Sequence, residues 1–273
     1  MSFASVSFLL FFLVVLLLLL LVQRVLPFAE IKRRIICQGI LLIASYVFYG
    51  WWNMRLCLLL MGITWISFFT AVKKDEKHLR QSRISLLIGV GTPLAVLGIF
   101  KYYDFFVTSF CDVFHLTPGV LNLILPVGIS FYTFQALSYT IDVYTGKIEK
   151  EKSFLQFALY LSFFPQLVAG PIVKASEFLP QLKENRKVTL AGLESGIQIF
   201  VFGMFKKVVL ADNISVFVDE VYRSPQIFGS GTVALAVAAY AIQIYMDFSG
   251  YSDMAIGCAK CMGYELPVNF NLP

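Results

Sequence analysis

Long uncharged runs separated by short basic clusters set the pattern of this chain. Residues 3–22 (FASVSFLLFFLVVLLLLLLV) contain no charge, and about 20 apolar residues suffice to cross a hydrocarbon core. No basic region precedes this run and no small-residue cleavage site follows it, so it reads as a retained first span and not as a signal peptide. Comparable runs predict spans at 35–50, 56–72, 84–100, 120–145, 190–211 and 232–263. The expected architecture is an all-α membrane protein, a multi-span helical bundle forming one membrane domain over residues 1–273.

The basic clusters orient the spans. Arg24, Lys32, Arg33 and Arg34 follow the first run, which places that end in the cytoplasm and the N-terminus outside. Trp51 and Trp52 mark an interface corner between the second and third runs, and the next loop carries Lys73, Lys74, Lys77, Arg80 and Arg83. Residues 101–119 hold a single basic residue, Lys101, and the following run returns to Lys147, Lys150 and Lys152. The alternation fails at residues 154–173 (FLQFALYLSFFPQLVAGPIV), where a full crossing would put Lys174, Lys183, Arg186 and Lys187 outside. Pro165 and the Gly170-Pro171 pair interrupt this segment, and broken backbone at membrane depth needs protein or a wet cavity around it. A re-entrant element satisfies the charge rule, and a kinked, tilted span is the alternative.

Farther along, Gly192 and Gly196 stand at a GxxxG spacing that suits close helix packing, and Lys206 and Lys207 lie where they can snorkel to headgroups. Residues 212–222 place Ile214, Phe217, Val218 and Val221 on one helical face, the pattern of an interfacial helix. The last run turns polar in its middle, at QIYMDFSGYSDMAIG (243–257). Asp247 and Asp253, with Gln243, Tyr245 and Ser249, are costly at such depth and usually face a bundle interior or a water-filled cavity. Together with Pro165, Gly170 and Pro171 they are the candidate lining of a substrate path. A self-satisfied polar network that ties helices together explains the same residues equally well. Asp247 and Asp253 are offset around a helix, so one patch need not contain both.

Composition narrows the classes further. Apolar residues make up 58% of the 273 and charged residues 14%, against roughly 45–50% and about 25% in soluble domains. The mean hydropathy is +0.77, and a disordered chain is excluded with it. The net charge of +5 sits in loop clusters and reports orientation, so no nucleic-acid partner is expected. Cysteines 37, 57, 111, 258 and 261 give no disulfide framework. Cys258 and Cys261 form a CxxC with no second pair or His partners, so no metal is expected. His78 lies in a basic loop and His115 in a polar break, and no serine stands in a GxSxG, so no catalytic constellation is complete.

Four stretches in order, LPVGISFYTFQALSYTIDVYTG (125–146), FALYLSFFPQLVAGPIVKASEFLPQL (157–182), GMFKKVVLADNISVFVDEVY (203–222) and QIYMDFSGYSDMAIGCAKCMGYELPVNFNLP (243–273), resemble the membrane-bound O-acyltransferase family. The resemblance covers about residues 30–273, is weakest before 90, and is nearest to the bacterial alginate O-acetyltransferase membrane-subunit type. It implies acyl transfer in a bacterial cytoplasmic membrane, with an acyl thioester (acetyl-coenzyme A or an acyl carrier protein) as substrate and no bound cofactor. It also implies an extracytoplasmic acyltransferase partner and a polysaccharide acceptor. In that family the functional histidines follow the segment resembling VNFNLP. His78 and His115 do not match them, so no catalytic residue is carried onto this chain, which is expected to be an N-terminal portion, inactive alone. A non-catalytic membrane scaffold or conduit for an extracytoplasmic transferase is the other function class.

Overall fold

The computed structural model describes residues 1–25, 27, 29–117, 119–168 and 170–270. Among the described residues every regular element is helical. The α-helices in order are α1 (Val6–Leu20), α2 (Glu30–Gly50), α3 (Met54–Thr70), α4 (Leu79–Phe114), α5 (Ile129–Thr145), α6 (Phe154–Ser162), α7 (Phe164–Leu167), α8 (Ala175–Lys183), α9 (Leu190–Met204), α10 (Asp212–Arg223) and α11 (Ser230–Cys261). Three helical stretches, Val6–Arg24, Leu79–Phe114 and Ser230–Cys261, are long and apolar enough to cross a membrane. Leu10, Leu13, Val14 and Leu17 of α1 are each more than half exposed, a surface that lipid solvates and water does not. The fold class is an all-α membrane protein.

The chain divides into two compact units, one of Met1–Ile40, Ala169–Ile172 and Asn185–Pro273, the other of Leu41–Val168 and Val173–Glu184. The second unit contains the broken segment. Helix α6 ends at Ser162, Phe163 is non-helical, and α7 is a single turn. Phe157, Leu159, Tyr160, Leu161, Phe163 and Phe164 are fully buried, on every side of the segment. Its freed backbone groups find partners within this unit. The Ser45 hydroxyl accepts from the Phe164 N–H at 3.1 Å, the Gln166 amide donates to the Tyr160 carbonyl, and the Tyr160 hydroxyl donates to the Val173 carbonyl at 3.2 Å. Protein thus supplies what lipid cannot. Gly128, the residue before α5, has φ +76, and a Cβ there would overlap the Leu167 carbonyl oxygen; only glycine fits this contact. Ser45→Ala leaves the Phe164 N–H without its partner and is expected to cost about 1–3 kcal/mol. The midpoint of unfolding in a sodium dodecyl sulfate titration, followed by far-ultraviolet circular dichroism, checks it.

Two elements differ from the sequence pattern. Helix α4 runs through the polar positions 101–104 to Phe114 and ends where His115 takes φ 54, its N–H bonded to Asp112 and that of Leu116 to Cys111. The residues that look like a helix break are exposed or half-buried and leave the helix backbone intact. Asp104 also fastens the following chain, accepting from the N–H groups of Leu121 at 2.8 Å and Asn122 at 3.0 Å. In turn, α5 begins only at Ile129, after Pro126 and Gly128, and residues 119–126 form no helix.

Candidate functional site

The polar centre of α11 lies in the first unit, packed along α9. The two helices run antiparallel, and glycines seven residues apart on each meet in pairs. A Cβ on Gly203 would lie 2.6 Å from the Gly250 carbonyl oxygen, and one on Gly196 2.7 Å from that of Gly257. Backbones this close bring short polar side chains on one helix within reach of the other.

Just past Gly203, residues Phe205–Ala211 form a π-helical stretch, a widened turn that recurs at functional sites. It presents two successive lysines to α11 and α10. The Lys206 ammonium lies 2.7 Å from Asp253 Oδ2, with the two side chains 17% and 21% exposed. Lys207 bridges two carboxylates, Asp247 at 2.6 Å and Asp212 at 2.7 Å. Each ammonium also sits over a ring, Lys206 over Phe202 at 4.7 Å and Lys207 over Tyr251 at 5.7 Å. The wide turn frees carbonyls, and the Asn213 amide donates to those of Val208 (3.3 Å) and Val209 (2.8 Å). The cluster therefore holds three carboxylates against two ammoniums in adjoining, partly buried positions, where such pairs resist separation.

Around it the neighbouring polar groups differ in their fate. The Ser249 hydroxyl is fully enclosed and the Gln243 carbonyl oxygen buried, and neither makes a hydrogen bond among the described residues. Asn269 donates to the Ser252 hydroxyl at 3.4 Å, while Phe270 meets Tyr245 and Phe248 edge-on, with ring centres 5.5 and 5.1 Å apart. The Val-Asn-Phe part of the VNFNLP segment thus closes over α11; Asn271, Leu272 and Pro273 lie outside the described residues.

Asp247 and Asp253 are brought into one cluster, although they are offset on their helix, because adjacent lysines on the π-turn reach both. Sequence reading gave Lys206 and Lys207 to the headgroup layer and missed them as partners. Two lysines at the end of an apolar helix, matched by two aspartates in another, were the available signal. The other candidates are not part of this cluster. Pro165 is buried in α7 of the second unit, and Gly170 and Pro171 are buried residues of the first. His78 pairs with Asp75 at 3.0 Å in the second unit. The imidazole draws the Asp75 carboxyl below its usual range, aided by the Lys77 N–H. His115 is an exposed helix cap.

Residues 147–273 match the model of the membrane-bound O-acyltransferase family, the part of the chain that contains the broken segment and the ion-paired cluster. Over these residues the chain belongs to this family. It is 39% identical over 242 residues to the probable alginate O-acetylase AlgI of Pseudomonas putida, covering 86% of this chain and 49% of that protein. It is 36% identical over 260 residues to the peptidoglycan O-acetyltransferase of Helicobacter pylori, covering 85% and 49%. A teichoic acid D-alanyltransferase of Streptococcus thermophilus is 27% identical over 161 residues, covering 57% and 39%. The chain spans about half the length of the curated relatives it matches. The resemblance to the alginate O-acetylase type seen in the four motifs is thereby shown.

Proposed function

We propose that these residues build the membrane path of an O-acyltransferase that moves an acetyl group from a cytoplasmic acyl thioester toward an extracytoplasmic polysaccharide. The observation that carries this is 36–39% identity, over most of the chain, to proteins named for O-acetylation of alginate and of peptidoglycan. Both are glycans with hydroxyl acceptors, and an alginate-like polymer is the acceptor proposed here. The donor is acetyl-coenzyme A or an acyl carrier protein, used as substrate, and a second, extracytoplasmic acyltransferase completes the transfer. The basic clusters support a multi-pass arrangement in a bacterial cytoplasmic membrane with the N-terminus outside.

Acyl transfer needs a base to take the acceptor's proton as its oxygen attacks the thioester carbonyl and the sulfur leaves. Asp247 and Asp253 are held by lysines, so in this reading the cluster shapes the path and does not serve as the base. The same full pairing favours a second reading, a scaffold that docks an extracytoplasmic transferase without doing chemistry.

Two measurements test these readings. Deleting the gene is expected to remove base-labile acetate from the host's surface polysaccharide, and an unchanged acetate content would sink both readings. Purified residues 1–273 in proteoliposomes are expected to move no radiolabelled acetyl from acetyl-coenzyme A to a hydroxyl acceptor. Transfer by them would eliminate the scaffold and place the base within this sequence.

A further inference from the structure

At the opposite end of the α9–α11 pair, about 20 Å along the helices from Lys206, the first unit holds a second polar feature. A cleft of about 570 Å³ opens between the start of α9, the end of α11 and the first turn of α2. Three cations line it, Arg186, Lys187 and Lys260, together with two carboxylates, Glu30 and Glu265. Each carboxylate is already engaged: Glu30 accepts from the Asn185 amide at 3.3 Å, and Glu265 lies 4.0 Å from Arg186. Lys187 and Lys260 have no ion-pair partner among the described residues, and since the Asn185 amide is neutral and leaves Glu30 charged, three cations against two carboxylates give the cleft a net charge of +1.

The walls are built tightly at these two residues. Gly263 adopts φ +88, and a Cβ there would come within 2.6 Å of the Lys187 carbonyl oxygen; a Cβ on Gly192 would come within 3.2 Å of that of Lys260. The lysine backbones are therefore fixed by close packing, and only the side chains are free to close on a ligand. Lys260 is half-buried and Lys187 exposed. Helix α9 starts at this cleft, and its first turn turns positive dipole toward it. Thr189 caps that turn by accepting the Gly192 N–H at 3.1 Å.

We propose that this cleft binds a phosphate group, gripped between Lys187 and Lys260 at the start of α9. Two compact ammoniums beside a helix N-terminus suit a tetrahedral, multiply charged oxyanion, and the volume leaves room for the ester that carries it. The phosphate comes either from a phospholipid headgroup or from a soluble phosphate ester. The proposal stands on the cleft alone and does not depend on the acetyl-transfer reading.

The test is equilibrium dialysis of radiolabelled orthophosphate with the full chain in nanodiscs of neutral phosphatidylcholine, at constant ionic strength. Saturable binding is expected, weakened about tenfold by Lys187→Gln or Lys260→Gln and further by both together. Lys74→Gln/Lys77→Gln, equal in charge change and located in an exposed loop, is expected to bind as the parent does. Absence of saturable binding, or equal binding by the cleft variant and the parent, overturns the proposal. Repeating the parent measurement in phosphatidylglycerol nanodiscs identifies the source. Loss of phosphate binding there means that a headgroup occupies the cleft, and retention means a soluble ligand.

Discussion

Gly203→Val and Gly257→Val are each expected to prevent recovery of a folded protein, while Gly231→Ala in the same helix as Gly257 leaves stability unchanged or slightly raised. The difference is what a new side chain would meet. On Gly203 a Cβ would stand 2.6 Å from the Gly250 carbonyl oxygen and 2.7 Å from the Met254 nitrogen. On Gly257 it would stand 2.6 Å from the Gly196 carbonyl oxygen and 2.7 Å from the Phe200 nitrogen. These are backbone atoms of a neighbouring helix and cannot swing aside as a flexible side chain does. Overpacking a well-filled interior costs about 1–3 kcal/mol when the surroundings can shift. Here α9 and α11 would have to part along their length, so the cost should exceed that range. It should also break the ion pairs that the close approach permits. At Gly231 nothing lies within 4 Å, and alanine contributes only its better helix propensity, up to about 1 kcal/mol. Yield of monodisperse protein in detergent, then the dodecyl sulfate unfolding midpoint, measures both. A Gly203→Val protein with the parent's midpoint would mean that the helices are not held by these glycines.

The same glycines show how far the sequence could be read. Glycine in an apolar helix signals close packing, and that much was legible at Gly192 and Gly196. The operative spacing is seven, Gly196 to Gly203 against Gly250 to Gly257, and it becomes visible only when two distant helices are laid antiparallel. The all-α membrane class follows from uncharged runs whose length is set by the bilayer, a local property. The broken segment was legible for the same reason, since Pro165 and Gly170-Pro171 forbid a continuous helix. What was illegible depends on partners far away in the chain. Lys206 and Lys207 look like headgroup lysines until the π-turn aims them at Asp253 and Asp247, 47 and 40 residues on. Positions 101–104 look like a loop because they are polar, yet a helix accepts exposed polar residues, and α4 continues to Phe114. Asp247 and Asp253 stood out because a charge in an apolar run is costly without a partner; its identity could not be read from the run itself.

Removing one member of the Lys206–Asp253 pair and then reversing it separates the cluster's structural role from its functional one. Asp253→Ala leaves the Lys206 ammonium partly buried beside the Phe202 ring with no carboxylate. Breaking such a pair is expected to cost about 2–4 kcal/mol, below the figure for a fully enclosed pair because both groups retain some exposure. Lys206→Asp alone is expected to be worse, since it adds a carboxylate beside Asp253 and near the pair formed by Asp247 and Asp212 with Lys207. In the reversed protein, Lys206→Asp with Asp253→Lys, the attraction returns and most of the lost stability should return with it. The coupling read from the double-mutant cycle should be about 1–3 kcal/mol. Acetylation of surface polysaccharide should not recover in parallel. Reversal moves the positive charge from the π-turn to α11 and so changes the field along the proposed path even where the helices pack as before. Full recovery of both stability and acetylation would make the pair a clamp between helices and nothing more. Recovery of stability alone would tie the direction of charge in this cluster to the passage of the acetyl group.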